Sequence, residues 1–145
     1  MTMPPSQQDL WKTVTGNHQG ILATLTPDGL PHLSNVHYLA DPATRTIRIS
    51  TTTTRRKGRN LLRDPRAVLH VPGPDFFNFT VVEGTLTLAP ATTPGDPATN
   101  DLHEIHSAFN GESPRPAFDH KMIRTHRMVV HIKATRLYGL IHNGR

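Results

Sequence analysis

Residues 20–50 hold three apolar–polar alternations separated by turns too short to contain a crossover helix. GILATL (20–25) sets Ile21, Ala23 and Leu25 on one side of an extended chain. TPDG (26–29) is a turn with proline at its second position. LPHLSNVHYL (30–39) reads as the returning strand. ADPATR then turns the chain into TIRIS, where Ile47 and Ile49 share a face. Parallel neighbours need a crossover of about a dozen residues or more, whereas antiparallel ones need only a tight turn. The connections here admit only the second arrangement, so the chain is expected to be mainly β and antiparallel.

The remaining segments fit around that core. Ser6 with Asp9 is a capping signal for a first helix carrying Leu10 and Val14, closed at Gly16. Arg55 to Leu62 predicts a short helix that stops before Asp64-Pro65, because a residue preceding proline avoids the α region. AVLHV (67–71) reads as a strand. FFNFTVVEGTLTL (76–88) reads as a longer strand or bent hairpin arm, with a kink or bulge at Gly84. PATTPGDPATN (90–100) has the composition of a surface loop. Leu102, Ile105 and Phe109 have helical spacing up to Gly111, and Pro116 opens another short helix through Met122. MVVHIKATRLYGL (128–140) alternates again and closes the fold. With 145 residues and no internal repeat, the expectation is one domain over 1–145: a mainly β barrel with flanking helices.

Directly after the third alternation comes TTTTRRKGRN (51–60), with four cations and no acid. The whole chain carries a formal charge of +5, so an anionic partner is indicated. No cysteine is present, which excludes disulfides and thiolate chemistry. The opening MTMPPSQQDLWKTV has no apolar core of a leader, and no apolar run is long enough to span a bilayer. The cytoplasm is the expected location and no membrane partner is expected. Several motifs are missing: GxxxxGK[ST], GxGxxG and GxSxG. HEIH (103–106) spaces its histidines three apart rather than four, so no metal site is expected. The cationic cluster and the aromatics Phe76, Phe77 and Phe79 remain. Cations with rings suit single-stranded nucleic acid, or equally a cofactor with a flat ring and a phosphate tail. A solvated basic face with ordinary core phenylalanines is the third reading.

Taken together, GILATLTPDGLPHLSNVHY, IRISTTTTRRKGRNLLRDPRAVLHV and VVEGTLTL resemble the pyridoxamine-phosphate-oxidase-like split β-barrel group. Within that group the chain is most similar to the actinobacterial flavin/deazaflavin oxidoreductases of the B type. The resemblance implies a six-stranded antiparallel split β-barrel that pairs as a homodimer, with a cofactor groove at the interface. It implies coenzyme F420, with FMN as the alternative. Carried onto this chain, Ser50, Thr51, Arg55, Lys57 and Asn60 would hold the phosphate end, and Asn35 would lie near the ring. Phe76, Phe77 and Asn78 would come from the partner subunit. The implied activity is hydride transfer between reduced coenzyme and an unsaturated small molecule. No catalytic residue is assigned; the proton would come from solvent, His32, His37 or Tyr38. An FMN-dependent oxidoreductase, a non-catalytic deazaflavin carrier and a nucleic-acid binder are the alternatives, the last not expected.

Overall fold

In the computed structural model, which describes residues 4–142, helix α1 (Gln7–Thr15) begins where Ser6 accepts a hydrogen bond from Asp9 N at 3.0 Å. Its buried side chains are Leu10, Trp11 and Val14. Each such side chain taken from water contributes roughly 1.5–3 kcal/mol, which is what fastens so short a helix to the sheet.

β1 (Gln19–Leu25) and β2 (Pro31–His37) form the expected hairpin. The face of β1 that enters the core is Leu22 with Thr24, and the Ile21–Ala23–Leu25 row is only half buried. The segment 30–39 is not one strand. Tyr38 turns inward, its N–H bonded to His18 O at 2.9 Å and its hydroxyl donating to Val14 O at 2.6 Å. Past Tyr38 the chain leaves β1 and becomes β3 (Leu39–Asp41), which pairs with β4 (Thr46–Thr52).

This division corrects the expected strand number: the sheet has seven strands, not six, in the order β2-β1-β5-β6-β7-β4-β3. Here β5 is Ala67–Pro72, β6 is Phe79–Pro90 and β7 is Arg127–Leu140, and every pairing is antiparallel. β2 and β3 lie at opposite edges, yet only Tyr38 separates them in sequence. The sheet therefore has to curl until its edges approach one another. Gly84 marks a register shift in the β6–β7 ladder, as expected of a bulge, and a side chain there would overlap Lys133 O.

Two boundaries differ from the sequence reading. Phe76, Phe77 and Asn78 precede β6 instead of belonging to it, because Asp75 Oδ1 accepts from Phe77 N and Asn78 N and bends the chain into a turn. The expected loop 90–100 already contains the start of α3 (Pro97–Asn110), capped by Asp96, which accepts from Thr99 N at 2.7 Å. α4 (Ala117–Arg124) follows, and α2 (Arg56–Arg63) sits between β4 and β5.

Strand alternation along β7 serves two layers. Met128, Val130 and Ile132 join Tyr38, Ile47, Ile49 and Leu69 in the main core beneath α1. Val129 faces outward and joins Leu102, Ile105, Phe118 and Met122 of α3 and α4. Among the described residues, no helix is long and apolar enough to cross a membrane.

Candidate functional site

The end of β4 is shaped by its own threonines. Thr52 Oγ1 accepts Arg55 N at 3.0 Å and lies 3.2 Å from Thr54 Oγ1, which turns the strand directly into α2. Arg55 is the N-cap, with extended backbone. The N–H groups of Arg56, Lys57 and Gly58 occupy the first turn, where helix geometry supplies no acceptor. Gly58 packs against the backbone of Thr52 so closely that a Cβ would overlap the Thr52 carbonyl oxygen. Asn60, 3% exposed, donates to Thr24 Oγ1 at 3.1 Å and pins the helix to β1.

A cavity of about 760 Å³ opens beside this helix start, a volume in the usual range for small-molecule sites. Its strand side is Asn35 and His37 of β2 with Ser50 and Thr52 of β4, and Arg55, Lys57 and Arg127 form its charged end. Its far wall is the outer layer, α3 and α4, presenting Leu102, Ile105, Phe109 and Met122. α3 is fastened over β4 and β7 by Asp101, which accepts from Arg48 and from His131, each at 2.9 Å. Glu104 adds a second carboxylate to Arg48 at 3.3 Å. Burial opposes the Arg48 charge, but Glu104 and Asp101 outweigh it and hold the guanidinium above its ordinary pKa.

The charged end is unbalanced. Burial, then Arg55 and Arg127, push the Lys57 ammonium below the ordinary lysine pKa. Burial and then Arg55 lower Arg127 as well. Among the described residues no carboxylate forms a salt bridge with any of the three. Among the described residues, Arg127 Nη1 donates only to Ser50 Oγ, at 3.3 Å. A solvated basic face would feel little mutual repulsion, because water screens it. Lys57 and Arg127, lowered by burial and by the Arg55 charge beside them, form a cationic end that lacks an anion. The helix start beside them adds N–H donors and the positive end of the dipole.

The sequence-predicted residues divide into groups. Asn35, Ser50, Arg55 and Lys57 meet in the cavity. Thr51 is buried on the opposite face of β4 from Ser50, its Oγ1 without a partner, and Asn60 lies behind the helix. Phe76 and Phe77 are 90% and 65% exposed, packed edge-to-face on each other and away from the cavity. Asn78 is buried and accepts from His142 N. Of the three proton-donor candidates, His37 lines the cavity, stacked on Phe109 at 4.7 Å. Tyr38 is buried, with its pKa raised by burial and its hydroxyl committed to Val14. His32 faces the core side of β2, opposite Thr24, with Nδ1 buried. Arg127 and the α3–α4 wall were not among the sequence candidates. A cation opening the apolar run Met128-Val129-Val130 was the available signal for Arg127.

The sequence model of the pyridoxamine 5'-phosphate oxidase family matches residues 7–140. Among solved structures, a conserved hypothetical protein from Mycobacterium tuberculosis is 26% identical, with a TM-score of 0.72, and the match covers 96% of this chain and 86% of that one. An F420 reductase is 23% identical, with a TM-score of 0.64, covering 87% of this chain and 94% of that one. A pyridoxamine 5'-phosphate oxidase-related, FMN-binding protein from Nostoc punctiforme is 18% identical, with a TM-score of 0.58, covering 94% and 83%. At these last two identities the likeness speaks for the fold alone.

Proposed function

Because the chain belongs to the pyridoxamine 5'-phosphate oxidase family, we propose that the cavity binds a phosphate-bearing cofactor of the flavin type. We further propose that this is the deazaflavin coenzyme F420 in preference to FMN, and that the protein is an oxidoreductase. One observation carries the reading: Arg55, Lys57 and Arg127 converge with no acid among them, beside a helix start.

The residues suit such a group by their chemistry. Arg55 and Arg127 offer paired N–H donors to phosphate oxygens, and Lys57 offers a point charge. Ser50 and Thr52 add neutral hydroxyls, and the first-turn N–H groups of α2 add more. Thr51 and Asn60 act from behind, filling the core and fixing the helix. Asn35 and His37 border the part of the cavity away from the charge, where a ring would lie. Coenzyme F420 is favoured over FMN by the charge beyond the trio. Its tail bears a phosphodiester and several carboxylates, and further cations are at hand: Arg56 and Arg59 are exposed on α2, and Lys121 lines the cavity. When bound, the deazaflavin supplies a hydride to an electron-poor double bond of a small substrate. The protein's part is to orient the two partners and exclude water between β2 and the α3–α4 wall. In a homodimer, the exposed Phe76 and Phe77 of a second copy would cover the open side, while Asn78, buried and bonded to His142 N, holds their turn in place.

Titration of the purified protein with F420 and with FMN, at low and at high salt, tests the reading. The deazaflavin is expected to bind more tightly, with an advantage that shrinks as salt rises, because exposed pairs are screened. Equal affinities at low salt would remove the deazaflavin assignment, and no binding of either would remove the cofactor reading.

A further inference from the structure

Among the described residues no acid cluster joins the two histidines of HEIH; both turn toward one serine. His103 Nε2 donates to the carbonyl oxygen of Ser113 at 2.8 Å. His106 Nε2 lies 2.9 Å from the Ser113 hydroxyl oxygen. Both rings rest on Phe118, with centroids 5.0 and 5.2 Å away, which fixes their planes. The loop between α3 and α4 is thus already stapled through the His103 bond. The second contact, to the hydroxyl, is beyond what holding the loop requires.

The direction of that second contact follows from its neighbour. Asn110 Nδ2 lies 3.5 Å from His106 Nδ1. With the side-chain amide in this orientation its nitrogen donates, so Nδ1 accepts and Nε2 carries the proton. Nε2–H then donates to Ser113 Oγ, and the serine's own hydrogen is left free. Asn110, His106 and Ser113 all line the cavity, beside the apolar surface of Leu102, Ile105 and Phe109. The three form a donor relay on the wall facing the cationic end.

We propose that the Asn110–His106–Ser113 relay is a second binding site in the cavity, at which the Ser113 hydroxyl donates to the carbonyl oxygen of an apolar ligand packed on α3 and α4. The inference rests on the reading of this cavity as a cofactor-and-substrate site and assigns the substrate its own subsite. Cations take the cofactor's anionic end, and the neutral donor takes an uncharged acceptor, which a guanidinium would desolvate at greater cost. Hydrogen bonding along the relay also strengthens the serine as a donor. Ser113 touches the ligand, and His106 is a positioning residue acting through it.

The test uses acetophenone labelled with 13C at the carbonyl, an apolar ketone, and ethylbenzene as the same body without the acceptor. In the wild-type chain acetophenone is expected to bind more tightly than ethylbenzene, with its carbonyl carbon shifted downfield by the hydrogen bond. Ser113→Ala should weaken acetophenone about 3- to 10-fold, the span of one neutral hydrogen bond, and abolish the downfield shift. Ethylbenzene should bind the variant and the wild type alike. Ser113→Thr should restore the shift, and His106→Phe should reduce it while keeping an aromatic ring on Phe118. An unchanged carbonyl shift in Ser113→Ala, or acetophenone binding no better than ethylbenzene to the wild type, would overturn the proposal. F420 and FMN titrations of the same samples report separately on the cationic end. A carbonyl shift without cofactor binding fails the functional reading and leaves this subsite standing. Cofactor binding without the shift does the reverse.

Discussion

Lys57 carries the site's electrostatics more directly than any other residue. Its ammonium is held below the ordinary lysine pKa by burial and by Arg55 and Arg127, so an anion that settles there offsets both repulsions together. A hydrogen bond to a charged group contributes roughly 1.5–3 kcal/mol, so Lys57→Ala should weaken cofactor binding about 10- to 150-fold. Arg66→Ala is the control: the same charge, but exposed and occupied by Asp64 through two bonds of 2.9 Å. Equal losses in both variants would reduce Lys57 to diffuse charge. The lowered pKa also sets a sign. Between the folded value and the ordinary one the unfolded chain holds more protons, so the free protein gains stability as pH rises through that window. Anion affinity moves the opposite way, falling as Lys57 deprotonates, while Lys57→Arg should keep affinity flat to higher pH. Its neighbour Gly58 answers to geometry: Gly58→Ala should destabilise the fold by about 1–3 kcal/mol, read by urea unfolding, because the new Cβ overlaps the Thr52 backbone. Unaltered stability would mean that the helix start shifts freely and is no rigid cradle.

Elements differ in how far their causes reach along the chain, and this decides which of them were legible. β1, β4, β5 and β7 are written in local alternation, and α2 stops where Asp64-Pro65 stops it. The division into β2 and β3 is caused by Tyr38 bonding to His18 and Val14, contacts that no local pattern records. The start of α3 was legible in principle, since Asp96-Pro97 supplies an N-cap and a favoured first residue, but Gly95 and three prolines make the surrounding composition read as a loop. The cationic run at 55–59 was legible in composition, but Asn35, Ser50, Arg55 and Lys57 could be named as a set only through the family resemblance. Arg127 and the α3–α4 wall come from distant sequence and meet them only in the fold. That wall is an outer layer packed on Val129 through its own apolar cluster and pinned further by Asp101 between Arg48 and His131. These pairs are partly exposed, so screening limits their worth. Asp101→Asn should cost about 1 kcal/mol and speed amide exchange in α3 and α4, with β1 and β5 still protected. Exchange that rises evenly across the sheet would mean that the helices are no separable cap.

At the scale of the whole molecule, the unresolved business of the sequence is the apolar row of β1 that does not enter the core. Ile21, Ala23 and Leu25 alternate as a core face should, yet the core takes Leu22 and Thr24 instead. Pairing extends the outward row sideways: Ala23 lies opposite Leu33 of β2 and Val68 of β5, and residues directly opposed share a face. Leu33 is 63% exposed, and Leu30 and Phe77 are exposed as well. β1 is thus a strand with two apolar faces, which is why its inward face could not be read from alternation. A single chain covers only one of them. A second copy is the occupant we favour, because a two-fold contact places the same row against itself and needs no further partner. The Asn35 and His37 side of the cavity lies on this same sheet, so pairing would also narrow its open side. Sedimentation at micromolar concentration should therefore give twice the chain mass of 16.1 kDa. Leu33→Glu should give the single-chain mass, since a carboxylate repeated across a two-fold axis opposes its own copy. Because Leu33 is exposed in the single chain, the variant should still fold, with an unchanged far-ultraviolet spectrum. Cofactor affinity should fall as dimerisation is lost if the second copy completes the groove. A wild-type chain that sediments as a monomer removes the shared groove. A Leu33→Glu dimer moves the interface to another face.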